Sequence, residues 1–98
     1  MRVLTDEDRR FFDENGYVVV HDAVPPENLQ AVIDATFAFL GMDPNNPDDW
    51  YRPPLRENGM TEMYQHQAMW DNRQHPRLHA AFADLLGDEK LWVSFDRV

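Results

Sequence analysis

Leu91-Trp92-Val93-Ser94-Phe95-Asp96-Arg97-Val98 is the stretch on which the fold turns. Strand formers dominate it and alternate, with Leu91, Val93 and Phe95 on one side and Trp92, Ser94 and Asp96 on the other. The pattern predicts a β-strand with Arg97 on its apolar side, and no turn follows to bring back a partner strand. The chain is therefore expected to be the front part of something longer, a single incomplete domain over residues 1–98 whose chemistry depends on residues it does not contain.

Working back from that strand, Asp88-Glu89-Lys90 forms the approach, and Gly87 ends a helix that His75-Pro76 starts and that shows Leu78, Ala81, Phe82, Leu85 and Leu86 on one face. The stretch from Met60 to Arg73 fits helix and extended structure equally. Residues 42–60 read as a long irregular loop, with Pro44, Pro47, Pro53 and Pro54 among turn formers such as Asn45, Asn46, Asn58 and Gly59. Trp50, Tyr51 and Leu55 suggest that the loop packs on something.

Ahead of the loop, Pro26 opens a helix with an apolar stripe of Leu29, Val32, Ile33, Thr36, Phe37 and Leu40, stopped by Gly41. Tyr17-Val18-Val19-Val20-His21 has three β-branched residues in a row without polar alternation, which predicts a strand covered on both faces. Thr5-Asp6-Glu7-Asp8 resembles a capping box and predicts a first helix from about Asp6 to Glu14, ended by Asn15-Gly16. The expected class is α+β in the order α-β-α-loop-α-β.

Composition bounds the function. Eighteen acidic side chains against nine basic give a net charge of −9, which repels a phosphate backbone and argues against nucleic-acid binding. With no cysteine there is no disulfide, thiolate metal site or cysteine nucleophile, and a reducing cytoplasm suits the chain. The start turns acidic at once and the longest apolar run is far too short to span a bilayer, so no membrane role is expected.

The four histidines are the obvious metal candidates. An Fe(II) facial triad commonly starts from a His with Asp or Glu two residues on, yet the residues two beyond His21, His66, His75 and His79 are Ala23, Ala68, Arg77 and Ala81. His75 and His79 have helical i, i+4 spacing, but Pro76 puts His75 at the cap and no Glu follows it as zincin chemistry requires. The Asp43 to Asp48 stretch departs from a calcium loop in its proline and lacks the glycine at the sixth position. The four glycines stand apart, and the single serine, Ser94, sits in a strand without a nucleophile elbow.

Two features remain. Met63 to Trp70 gathers soft, aromatic and amide side chains, suited either to a small-molecule pocket wall, with Gln67 and Trp70 as its contacts, or to ordinary packing with satisfied polar tips. Arg97 must either meet an anion or leave the core at the strand end.

Taken together, Leu4-Thr5-Asp6-Glu7-Asp8 through Phe11-Phe12, Glu14-Asn15-Gly16-Tyr17-Val18-Val19-Val20 and Pro26-Glu27-Asn28-Leu29 resemble the opening of the phytanoyl-CoA dioxygenase family. His75-Pro76, Leu85-Leu86-Gly87 and Leu91-Trp92-Val93 resemble its approach to the metal-binding strand. The resemblance implies the N-terminal part of a double-stranded β-helix, or jelly-roll, oxygenase that uses Fe(II) and 2-oxoglutarate to hydroxylate an unactivated C–H bond of a small-molecule substrate. It also implies that the His-x-Asp ligand pair, the distal His and the Arg that holds 2-oxoglutarate follow beyond Val98, leaving this chain inactive by itself. Arg97 corresponds to a basic position on the strand before the metal motif, which makes it the candidate contact to 2-oxoglutarate or substrate, with Gln67 and Trp70 in the pocket wall. Two other readings stay open. One is a small acidic α+β protein-binding module whose terminal strand edge pairs with another chain. The other is a small metal-binding protein using His66, His75 and His79.

Overall fold

The computed structural model describes residues 2–51 and 59–98. Among them are helices α1 (Asp6–Asn15), α2 (Pro26–Leu40), α3 (Gln67–Arg73) and α4 (Pro76–Leu86), with a short 3-10 turn at Pro47–Tyr51. Arg52, Pro53, Pro54, Leu55 and Asn58 of the expected loop lie outside the described residues.

No β-strand occurs among the described residues. The α+β order and the beginning of a double-stranded β-helix are thereby overturned, because both required strands at 17–21 and 91–98. The reason is pairing. A strand exists only through a ladder, and residues 17–20 and 91–95 make no backbone hydrogen bond to any described residue. β-propensity at these positions reports side chains suited to a half-buried surface and supplies no partner.

The chain divides into two compact units, Met1–Pro25 with Asn72–Val93 and Pro26–Asp71 with Ser94–Val98. In the first, α1 starts at a complete capping box. The Asp8 N–H donates to Thr5 Oγ1 at 3.0 Å, and the Thr5 N–H donates to the Asp8 carboxylate at 2.8 Å. Gly16, at φ 80°, ends α1 by donating its N–H to the Phe12 carbonyl. Phe11 and Tyr17 then meet edge to face with ring centres 5.2 Å apart.

Helix α4 is the hub of this unit. The Asp84 carboxylate accepts the N–H groups of Val3 and Leu4, the latter at 2.9 Å, and the Arg9 guanidinium donates to the Asp84 carbonyl. Two turns earlier on the same helical face, Arg77 donates to the carbonyls of Asp22 at 2.9 Å and His21 at 3.1 Å. Asp22 is held at φ 52°, a left-handed conformation that Asp tolerates better than most residues. Between the two clasps the segment at 17–20 lies against α4 with alternating exposure. Val18 and Val20 are half-buried, while Tyr17 and Val19 are exposed. It is covered on one face, not both.

The second unit is built on α2, which Pro26 opens. Its core is small, with Ala35, Met63, Ala68 and Met69 buried together and Val32 packed against them. Ala35 is the single buried residue of α2, and Leu29 and Ile33 of the expected stripe are about half exposed. The following loop folds around Asp43. Its carboxylate accepts the Asn45 N–H at 2.9 Å, its N–H donates to Asp49, and its carbonyl accepts the Trp50 indole N–H at 2.8 Å. Trp50 also packs on Phe37, with ring centres 5.6 Å apart. Within the Asp43 to Asp48 stretch, the Asp43 carboxylate is thus tied to one of the loop's own amides.

Candidate functional site

Helix α4 carries two hollows, both lined within the first unit. One of about 270 Å³ is apolar, walled by Leu4, Val18, Val20, Leu78, Phe82 and Leu85 among others. It follows from the clasps, since a chain crossing a helix on backbone hydrogen bonds at its two ends leaves only side chains to fill the span between. The other, about 400 Å³, is polar and includes His79, Asp84, Asp88 and Glu89 near the C-terminal end of α4. His79 Nε2 lies 2.9 Å from the Glu89 carbonyl, which fastens the chain leaving α4 back onto the helix.

Asp84 is the electrostatic centre of this region. The Leu4 N–H and then the Val3 N–H, by hydrogen bonding to the charged form, hold its carboxyl below the usual Asp range. A folded-state value below the unfolded one means that the stabilisation is fully present above the unfolded value of about 3.9 and is lost as pH falls through the folded value. Asp8, held low chiefly by the Thr5 N–H, and Asp6, held low by Arg2, act in the same sense. Thermal melts from pH 7 to pH 2 are expected to show Asp84→Asn less stable than the parent near neutrality, with the difference narrowing below about pH 4. A constant difference across that range would remove the role given to the Asp84 charge.

The residues singled out from the sequence do not converge into one constellation. Gln67 opens α3, is exposed, and donates to Asp71 at 2.7 Å. Trp70, one turn on and half-buried, donates its indole N–H to Gln65 Oε1 at 3.1 Å. Arg97 is exposed, its backbone N–H donates to the Asp96 carboxylate at 2.8 Å, and no hydrogen bond or ion pair joins it to Gln67 or Trp70 among the described residues.

The histidines hold backbone. His66 Nδ1 accepts the Ala68 N–H at 3.0 Å ahead of α3, and His75 Nδ1 accepts the Arg77 N–H at 3.2 Å as the cap of α4. Among the described residues no three His, Asp or Glu side chains converge as a metal-binding group. Sequence reasoning missed Arg77 and Asp84, although opposite charges seven residues apart on an amphipathic helix were a readable signal of one face with two anchoring points.

No helix among the described residues is long and apolar enough to cross a membrane. No protein-family model, curated protein or solved structure matches the chain.

Proposed function

We propose that the chain is the amino-terminal part of a phytanoyl-CoA dioxygenase-like, Fe(II)- and 2-oxoglutarate-dependent hydroxylase, contributing scaffold and pocket wall while the iron ligands lie in sequence beyond it. The observation that carries this reading is the segment 91–95. It leaves α4 after Gly87, where the resemblance puts the approach to the metal motif, and it presents Trp92, Val93 and Phe95 to solvent with no backbone partner among the described residues. An apolar surface of that kind suits burial by further polypeptide. Arg97 is then the contact to an anionic co-substrate or substrate, Gln67 and Trp70 belong to the wall of a small-molecule pocket, and the absence of cysteine suits the cytoplasm.

Reading the transcript past the Val98 codon tests this. A His-x-Asp pair within a few tens of residues, followed by a distal His and an Arg, is expected; a stop codon directly after Val98 would overturn it. A second reading, an acidic protein-binding module, is favoured by the same unpaired backbone beside exposed apolar side chains.

A further inference from the structure

The apolar hollow on α4 is framed by hydrogen bonds and walled by hydrocarbon. Arg77 and Asp84 stand two turns apart, about 10 Å along the helix axis. Arg77 holds the carbonyls of His21 and Asp22, and Asp84 holds the N–H groups of Val3 and Leu4. Polar bonds of set length at both ends keep the crossing backbone from sinking onto the helix. Between these anchors in the helical register, Leu78, Ala81, Phe82 and Leu85 face short side chains, with Val18 and Val20 on the crossing segment and Ala23 just past it. Side chains of that size leave about 270 Å³ between the two walls.

The chemistry of the walls selects what fits. The lining residues are Leu, Val, Ala and Phe alone, so no side chain among them ionises or hydrogen-bonds a guest. An apolar cavity of about 150 Å³ stays dry and takes up benzene, and this hollow is larger. A charged group entering it would lose its hydration without compensation, and the net charge of −9 adds repulsion for anions. Size bounds the guest from above. Pockets for drug-sized ligands begin at about 300 Å³, and a helix laid in a groove needs a row of anchors along two turns. Entry is open, because Val18, Val19 and Val20 donate no backbone hydrogen bond to a described residue and can move aside without breaking a ladder.

We propose that this hollow is a binding site for a small uncharged hydrocarbon ring, aromatic or alicyclic. The site goes beyond the oxygenase reading and is independent of it, because that reading rests on sequence past Val98, and its pocket residues Gln67, Trp70 and Arg97 take no part in the hollow. The guest is held by burial of apolar surface alone, so binding is weak and selects for shape and lack of charge.

Methyl NMR spectra of the 98-residue chain, titrated with toluene up to saturation in water, are the test. The methyl signals of Leu4, Val18, Val20, Leu78 and Leu85 are expected to shift along a saturating curve with a Kd of about 1 mM. Those of Leu29 and Ile33, exposed on α2, are expected to stay in place. Benzoate, the same ring carrying a carboxylate, is expected to bind at least about tenfold more weakly. Ala81→Leu and, separately, Ala23→Leu extend a side chain into the hollow and are each expected to weaken toluene binding about tenfold, with far-UV circular dichroism checking that the helices persist. Ala81 is 7% exposed, so Ala23, half-buried and outside the helices, keeps the comparison open should Ala81→Leu not fold. Methyl signals unmoved at saturating toluene overturn the proposal and leave the hollow to a side chain of a larger partner. Shifts of equal size at Leu29 and Ile33 also overturn it, as does benzoate binding as well as toluene, or a folded Ala23→Leu with the affinity of the parent.

Discussion

Leu4→Ala is expected to be the most damaging single substitution, lowering stability by about 2–5 kcal/mol. Leu4 is 3% exposed, the most buried hydrophobic side chain described, and it does two jobs at one position. Its side chain lines the apolar hollow on α4, and its N–H is one of the two that hold Asp84. Shortening it enlarges the hollow between the segment at 17–20 and α4, which the backbone clasps keep from collapsing. A chain of this size has total stability near the low end of about 5–15 kcal/mol, so the variant is expected to be partly unfolded at 37 °C. Urea titration followed by far-UV circular dichroism measures this. Phe82→Ala at the exposed rim of the same hollow is the comparison, since Phe82 is 52% exposed and its loss should cost less. Equal midpoints for the two variants would mean that the hollow is not where this unit gains its stability.

Met63→Ala is the second large effect, also about 2–5 kcal/mol. The second unit's buried cluster has two alanines and two methionines, so most of its side-chain volume comes from the methionines. Met63 is 4% exposed, and it packs with Ala35, Ala68, Met69 and Val32. Methionine adapts its shape well, which suits a core formed between a helix and an irregular segment, but its removal takes away a large share of the packing. Met60→Ala, three residues earlier and 44% exposed, should change stability by less than about 0.5 kcal/mol. The two urea midpoints side by side distinguish a packed Met63 from one that merely sits in a loop.

Where the sequence was legible, the signal was local. Thr5 and Asp8, Gly16, Pro26, His75-Pro76 and Gly87 set helix ends through hydrogen bonds spanning a few residues, so α1, α2 and α4 could be placed nearly to the residue. Helix α3 escaped because it has only seven residues, too few to show a periodicity, and its cap is a histidine. The two strands failed for the opposite reason. Alternation at 91–98 and the valines at 18–20 describe surfaces, whereas a ladder depends on a partner that no local pattern names. Alternation did carry over in part, for Val18 and Val20 do share a covered side. The site was the least legible. Gln67, Trp70 and Arg97 were chosen for their chemistry, while Arg77 and Asp84 bind carbonyls and amides more than fifty residues away in sequence.

Amide hydrogen exchange at Val18, Val19 and Val20, compared with Ala80, Ala81 and Phe82 of α4, tests the helical architecture most directly. The three valine amides, which donate to no described residue, are expected to exchange at close to the rate of an open chain while the α4 amides are strongly protected. Valine amides protected as well as those of α4 would reveal a β-ladder at 17–21 and contradict it.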